Sequence, residues 1–440
     1  MYFYEFWQLN RRLVPVGRTT DMTLKARYEQ RQISGLRRQG NLILQCVSND
    51  GVLLNGENAP WDGYDPVVWQ VGEADPDTLC WQITPPSEGE YHYQLILAQP
   101  ERRDIIAEWS LYALQDDLLP LIPLRGDMHI HTSWSECGNR NEDPRYVAAW
   151  ARKRGLDFVA ITDHAQREPS LLAAEFIRNT GSSFRIYPGE ETHQLMEKQP
   201  TLFCRNRFLP YNHIVGFGAR DGVVKWANEH FDEYWQDIED RAAALPDHHP
   251  RSIRLAMAGA DWLIDKIHEF GGLAIFCHPF WRPCNRHNLP APVREYILQQ
   301  NKFDAMEVIG LCSATHNHAE IEGNRLAVAW WQQQSIRRGS MIPLVGNTDS
   351  HATRAMIGRH YTLVFAESNT LPSIQSAIRA GRSVACIRFP KYPLDIFGDF
   401  RLVSYAYFLE REYFPEHDAH CAAEGERLLA ELQPASPLHG

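Results

Sequence analysis

The chain has 440 residues, 44% of them hydrophobic and 22% charged, a balance that supports packed cores and excludes a mainly disordered protein. A formal net charge of −11 gives no overall attraction to polyphosphate backbones or anionic membranes, so no extended nucleic-acid or membrane partner is expected. Nine scattered cysteines without a CxxC pair suit reduced thiols, and no leader-like or membrane-length apolar run is present, which gives a cytoplasmic reading.

Residues 1–118 are expected to form a small β-sandwich-like domain. The candidate strands are Asn41–Ser48, Val67–Glu73, Leu79–Thr84, Glu90–Ala98 and Ile105–Leu114. In the fourth, Tyr91, Tyr93, Leu95 and Leu97 alternate with His92, Gln94 and Ile96, as in a strand with one better-buried face. The turn Pro85–Gly89 precedes it.

From about Leu121 the rhythm becomes apolar strand, polar loop, amphipathic helix, which predicts a parallel α/β domain over residues 119–390. Asp143 and Pro144 read as the N-cap and first residue of a helix that Gly155 terminates. Leu263, Ile264, Ile267 and Phe270 mark a second helix, and Ile374, Ala377 and Ile378 before Gly381 a third. Residues 220–259 read as a helical insertion, and 391–440 as a C-terminal helical tail.

Seven strand-like runs lie in this second part, and six carry potential metal ligands at their ends. They are Gly126–Thr132 with His129 and His131, Leu156–His164 with His164, Phe184–His193 with Glu191, Asn212–Gly218 with His213, Gly272–Pro279 with His278, and Met341–His351 with Asp349 and His351. His213 stands at the start of its run, and Phe303–Gly310 carries Glu307 but no evident ligand. Parallel barrels gather their sites at the carboxyl ends of strands, so these dispersed residues are expected to converge. One residue separates His129 from His131, which on a strand turns both imidazoles to one face. Imidazoles and carboxylates suit zinc, manganese or iron, and such ions acidify a bound water into a hydroxide nucleophile. The chemistry indicated is hydrolysis.

In chain order the motifs are His129-Ile130-His131-Thr132, Thr162-Asp163-His164, Gly189-Glu190-Glu191, His213, His278-Pro279 and Asp349-Ser350-His351. This series, over residues 124–389, resembles the PHP family, named for polymerase and histidinol phosphatase domains. The resemblance implies a distorted (β/α)7 barrel holding two or three divalent ions (Mn, Zn or Fe). It also implies that His129, His131, Glu191 and Asp349 hold one ion, that Glu191 bridges to a second at His213 and His278, and that His164 and His351 share a third. The family usually places an Asp five residues after the second His; here the segment is Ser135-Glu136-Cys137-Gly138, which makes Glu136 the expected third-site ligand. Asn347-Thr348 stands where the family often has Gly-Ser.

The N-terminal segment, residues 303–310 and 327–339, and residues 377–385 are similar to the carbaryl-hydrolase-type branch, which joins phosphoester-cleaving with carbamate-cleaving proteins. The reaction expected first is therefore phosphoester hydrolysis by a metal-bridging hydroxide on a small-molecule substrate. Carbamate or carboxylic ester hydrolysis on the same ions is the alternative. A metal-stabilised, non-catalytic binding or assembly protein is the reading from a different class, with self-association through the β-domain compatible with the sequence. His193, Arg282 and Arg354 lie within a few residues of ligands and are the candidate substrate contacts, because an arginine can pair with phosphate in bidentate fashion. Asp127 and Asp163 are candidates to orient metal-bound imidazoles. His287, His316 and His318 are weaker candidates, His248-His249 in the insertion reads as surface, and Trp330-Trp331 reads as helix packing.

Overall fold

A computed structural model describes residues 3–28, 32–47, 75, 77–200, 212–282, 287–310, 318–388 and 392–432. The chain divides into two compact units, Met1–Leu121 with Ser404–His417, and Ile122–Val403 with Asp418–Gly440. Among the described residues, no helix is long and apolar enough to cross a membrane. The six described cysteines are free.

The first unit carries β1 (Trp7–Leu9), β2 (Leu13–Pro15), β3 (Thr20–Ala26), α1 (Ile33–Arg37), β4 (Asn41–Val47), β5 (Thr78–Ile83), β6 (Gly89–Gln99) and β7 (Arg102–Leu114). They form two sheets, ordered β1-β3-β5 and β2-β7-β6-β4. One core serves both: Leu24 and Trp81 from the first sheet pack with Leu44, Tyr93, Leu95 and Trp109 from the second. Tyr93 stacks on Trp109 at 5.4 Å, and Trp81 lies 5.5 Å from Tyr93. The expected alternation along β6 is present, with Tyr91, Tyr93, Leu95 and Leu97 buried. The candidate strand Val67–Glu73 lies outside the described residues. β1 and β2, of three residues each, and the seven-residue β3 are not among the strands expected from the sequence.

In the second unit the order is β8 (Ile122–Asp127), α2 (Pro144–Lys153), β9 (Phe158–Ala160), α3 (Glu168–Arg178), β10 (Arg185–Tyr187), β11 (Gly189–Thr192) and β12 (Ile214–Phe217). There follow α4 (Val223–Glu229), α5 (Phe231–Ala244), α6 (Arg251–Glu269), β13 (Leu273–Phe276), α7 (Ala291–Gln300), β14 (Ala305–Ile309), α8 (His318–Arg338) and β15 (Leu344–Gly346). The rest are α9 (Thr353–Met356), β16 (His360–Ala366), α10 (Leu371–Arg379), β17 (Ser383–Ile387) and β18 (Asp395–Phe397), and the chain ends in α11 (Phe400–Glu412) and α12 (Phe414–Glu431), of which Ser404–His417 belongs to the first unit. Asp143 caps α2 by accepting the Arg145 amide at 2.8 Å, with Pro144 first in the helix. Ile374, Ala377 and Ile378 are all fully buried on α10, and Gly381 follows at φ +70°.

Among the described residues the strands do not close into the expected distorted (β/α)7 barrel. They form a six-stranded sheet, β10-β9-β8-β16-β17-β18, and a five-stranded one, β11-β12-β13-β14-β15. Pro188 sits between β10 and β11, where the chain passes from one sheet to the other, and a proline has no N–H to extend a ladder. Antiparallel strands interrupt the parallel pattern: β12 opposes β11 and β13, and β16 opposes β8 and β17. Among the described residues, two isolated parallel bridges, Ile130 with Ser350 and His164 with Glu191, join ends of the two sheets, and the Thr362 and Ser383 hydroxyls tie β16 and β17 to β15 at Gly346 and Leu344. Their apolar faces nevertheless share a core, in which Leu124, Phe158 and Val364 meet Phe217, Ile275 and Val345.

Asp304, just before β14, holds three elements together. It accepts from His268 of α6 at 2.8 Å, from Arg379 of α10 at 2.7 Å and from the Ala274 amide of β13 at 2.8 Å. Burial disfavours its charge, but these donors outweigh burial and hold the carboxyl below its ordinary range. A depressed folded-state pKa contributes stability that is present above the unfolded value of about 3.9 and is lost as pH falls through the folded one. Thermal melts of wild type and Asp304→Asn are therefore expected to differ most near neutrality and to converge below about pH 4. A constant difference across that range would show that the charge is not the source.

Candidate metal centre

Most of the candidate ligands follow strand ends rather than lying within strands. His129 comes two residues after β8, His164 four after β9, His278 two after β13 and Asp349 three after β15, while Glu191 lies inside β11. His213 immediately precedes β12, and the sheet explains why. Because β12 runs antiparallel to both neighbours, with Ile214 opposite Thr192 and Phe276, its amino end lies beside their carboxyl ends. The position that looked out of place in sequence is brought to the common end by strand direction.

Glu191 is the centre of the cluster. Its Oε2 lies 3.4 Å from His129 Nε2, 3.2 Å from His131 Nε2 and 3.0 Å from His164 Nδ1. Its Oε1 lies 2.7 Å from His213 Nδ1 and 3.1 Å from His278 Nε2. Asp349 Oδ1 approaches His131 Nε2 at 3.0 Å, His129 Nε2 at 3.4 Å and His351 Nδ1 at 3.6 Å. Glu190, the rival carboxylate, points to the other face of β11, where it accepts the Val223 and Val224 amides at the start of α4.

Hydrogen bonds behind the imidazoles decide which nitrogen is free. His129 Nδ1 faces Glu307 Oε1 at 3.2 Å; a carboxylate only accepts, so in the neutral ring the proton sits on Nδ1 and Nε2 keeps its lone pair. Ser135 Oγ donates to Asp163 at 2.6 Å and must therefore accept from His131 Nδ1 at 3.0 Å, which again frees Nε2. His351 Nδ1 lies 2.7 Å from the Asp349 carbonyl, with the same result. Asp163 thus acts through a serine, and also accepts the Thr132 amide and hydroxyl. Asp127 touches no imidazole ring; it accepts from the His129 amide and from the Thr348 amide and hydroxyl, and so fixes the two ligand loops to each other.

Glu307 is the residue sequence reasoning missed. It accepts from His129, from the Asn347 side chain at 2.8 Å and from the His278 amide at 2.8 Å, and is 1% exposed. Its signal was available: a carboxylate inside a fully buried apolar strand needs a partner. Asn347 also accepts the Met128 amide at 2.9 Å, so the Asn-Thr departure from the family pattern is used structurally.

The donor set fits divalent cations. His129 Nε2, His131 Nε2, His164 Nδ1 and Asp349 Oδ1 are buried without a hydrogen bond. Bonds of about 2.1 Å to one ion place adjacent donors about 3.0 Å apart in an octahedron and about 3.4 Å apart in a tetrahedron, which matches the spacings around Glu191 and Asp349. Burial opposes charge on all these groups, yet the surrounding imidazoles keep Glu191 and Asp349 ionised, well below the usual carboxylate range. Burial likewise opposes protonation of His129 and His131, but the carboxylates raise both, His131 to about 9. For His164 and His351 burial prevails and the pKa falls. His278 and Asp349 adopt φ of +28° and +49°, a region non-glycine residues rarely enter and one that recurs at functional sites.

Other candidates lie elsewhere. Glu136 is exposed and is not among the residues whose donor atoms converge; its neighbour Cys137 is, with His131 and His351. His193 lies 6.2 Å ring to ring from His164, and burial with nearby His213 lowers its pKa to about 4. Arg282 is paired with Glu322 at 2.6 Å. Arg354 donates to the Tyr146 hydroxyl at 2.7 Å and stacks over Trp150, lining a groove of about 450 Å³ with Arg145, Lys153 and Glu426. His287, His248 and His249 are outside the cluster, His316 lies outside the described residues, and nothing is described of the His318 side chain. Trp331 is buried and donates to the Ile342 carbonyl at 2.8 Å, and Trp330 packs on the same core.

No family model matches the chain. One curated relative, the DNA polymerase/3'-5' exonuclease PolX of Bacillus subtilis, is 36% identical over 83 residues, which is 18% of this chain and 14% of that protein. The chain thus matches only a small part of that relative's length. Among solved structures, a two-domain protein from Bacteroides vulgatus containing a predicted PHP-like metal-dependent phosphoesterase aligns over 67% of this chain and 71% of its own, with TM-score 0.42 and 16% identity. The lesion-specific endonuclease PfuEndoQ from Pyrococcus furiosus aligns over 62% of this chain and 58% of its own, with TM-score 0.33 and 14% identity.

Proposed function

We propose that this chain is a metal-dependent hydrolase of the PHP type that cleaves small phosphoesters. One observation carries the reading: the two oxygens of Glu191 face different imidazole sets, Oε2 toward His129, His131 and His164, Oε1 toward His213 and His278. A carboxylate so divided would serve two cations, with Asp349 joining the first set of donors. When bound, the ions would acidify water and polarise the ester. Around them, Glu307 and Asp163 hold the imidazole tautomers, Asp127 locks the two ligand loops, and the buried walls limit water.

Cleavage of carbamate or carboxylic esters is the second reading, favoured by one observation: both candidate arginines are engaged, Arg282 with Glu322 and Arg354 with Tyr146. The endonuclease similarity makes a DNA substrate worth including, against the sequence expectation of no extended nucleic acid. Elemental analysis of reconstituted protein is expected to give at least two ions per chain. Turnover of nitrophenyl phosphates should exceed that of naphthyl carbamates and of an abasic-site duplex. In Arg282→Ala or Arg354→Ala, a roughly tenfold to hundredfold loss confined to phosphoesters would identify a phosphate contact. A stoichiometry at or below one, or carbamate turnover above phosphate turnover, overturns the leading reading, and bound ions without any turnover favour the non-catalytic one.

A further inference from the structure

Cys137 stands in a short loop whose shape is dictated by close backbone approach. The Ser135 amide bonds the Thr132 carbonyl at 3.2 Å and the Gly138 amide bonds the Ser135 carbonyl at 3.1 Å. A Cβ on Gly138 would lie 1.9 Å from the Thr132 carbonyl oxygen, so only glycine permits this turn. The turn brings Cys137 back to the metal centre, where its sulfur and one nitrogen each of His131 and His351 lie within 4.8 Å of one another. The two rings stack at 4.5 Å. Both imidazoles have Nδ1 engaged, His131 at Ser135 and His351 at the Asp349 carbonyl, so each presents an Nε2 lone pair. The His131 Nε2 is buried and has no hydrogen bond.

We propose that the outermost cation position of this centre is a thiolate site, with Cys137 and His351 as its donors and His131 at its inner wall. The proposal rests on the metallohydrolase reading and names a ligand which that reading does not contain. An imidazole nitrogen serves one ion, and His131 Nε2 also lies beside Asp349 and Glu191, so Cys137 and His351 are the donors that no inner ion claims. A coordinating thiol gives up its proton to solvent as the metal–sulfur bond forms. Thiolate selects zinc or cobalt(II) over magnesium and manganese, whereas the inner positions, built from imidazole and carboxylate, accept either kind. The two environments of one centre are then chemically distinct. Cys277, the other sulfur near the cluster, groups with His129, Glu191 and His278 and donates to the His213 carbonyl at 3.2 Å, so Cys277→Ala is the control that separates the two sulfurs.

The test is cobalt(II) titration of the metal-free full-length chain under reducing conditions, followed by absorption spectroscopy. Wild type and Cys277→Ala should develop a thiolate-to-cobalt charge-transfer band in the near ultraviolet in addition to the visible d–d bands. Cys137→Ser should lose the charge-transfer band while keeping d–d intensity from the inner positions. Cys137→Asp should hold as many ions as wild type without that band, and should accept manganese at the position wild type denies it. Cobalt bound by wild type with no charge-transfer band, or a band that survives Cys137→Ser, overturns the thiolate site and leaves the hydrolase reading standing. Wild type that binds no cobalt overturns both.

Discussion

Glu191→Gln is expected to reduce hydrolytic turnover on the order of 10³-fold or more and to release bound metal. Glutamine keeps the size of the side chain but replaces one oxygen with an amide nitrogen that only donates. Whichever way the amide turns, an NH₂ then faces one of the two imidazole sets, whose nitrogens approach at 2.7 to 3.4 Å. The negative charge that lets five imidazoles share one site is lost as well. Metal counts by elemental analysis and single-substrate kinetics would check it, with a thermal melt to establish that the chain is folded. Turnover within tenfold of wild type at full metal content would remove Glu191 from the centre of the chemistry.

Glu307→Gln should give the next largest effect, a loss of roughly 10- to 100-fold in metal affinity or activity, although this carboxylate touches no position proposed for an ion. Glu307 fixes the proton of His129 on Nδ1, anchors Asn347 and receives the His278 amide. A neutral amide weakens its pull on the imidazole and lowers the basicity of the opposite nitrogen. Competition against a metal chelator separates this from a merely structural role: a positioning carboxylate lowers metal affinity in the folded protein, whereas a packing residue lowers the melting temperature alone. Equal chelator resistance in variant and wild type would assign Glu307 to packing.

The motif residues were legible because short spacings convert directly into shared faces. One intervening residue puts His129 and His131 on one side, and alternation along β11 separates Glu190, which caps α4, from Glu191, which enters the cluster. Strand direction was not legible. Nothing in Asn212–Gly218 announces that β12 runs against its neighbours, since polarity is set by pairing partners far away in the chain. The division into two sheets escaped for the same reason, and so did β16, whose apolar run His360–Ala366 bears no motif. In the Ser135–Gly138 loop, spacing alone selected Glu136, because a five-residue count assumes the family's loop path. The turn that Gly138 permits sets the next residue, Cys137, itself exposed, with its sulfur within 4.8 Å of nitrogens of His131 and His351 instead.

The gap between the two sheets bears on how any ligand variant should be read. Where a backbone ladder would otherwise run, the ends of the sheets meet through two isolated bridges, one of which pairs His164 with Glu191 themselves. His129, His131 and His164 come from loops of the six-stranded sheet, and Glu191, His213, His278 and Asp349 from the five-stranded one. The reactive cluster is therefore also a fastener, and cohesion and chemistry draw on the same atoms. Each donor removed from it unpicks one stitch of the seam, so catalytic defects in this protein should come bundled with local fraying at the strand ends, and a ligand variant has two phenotypes rather than one.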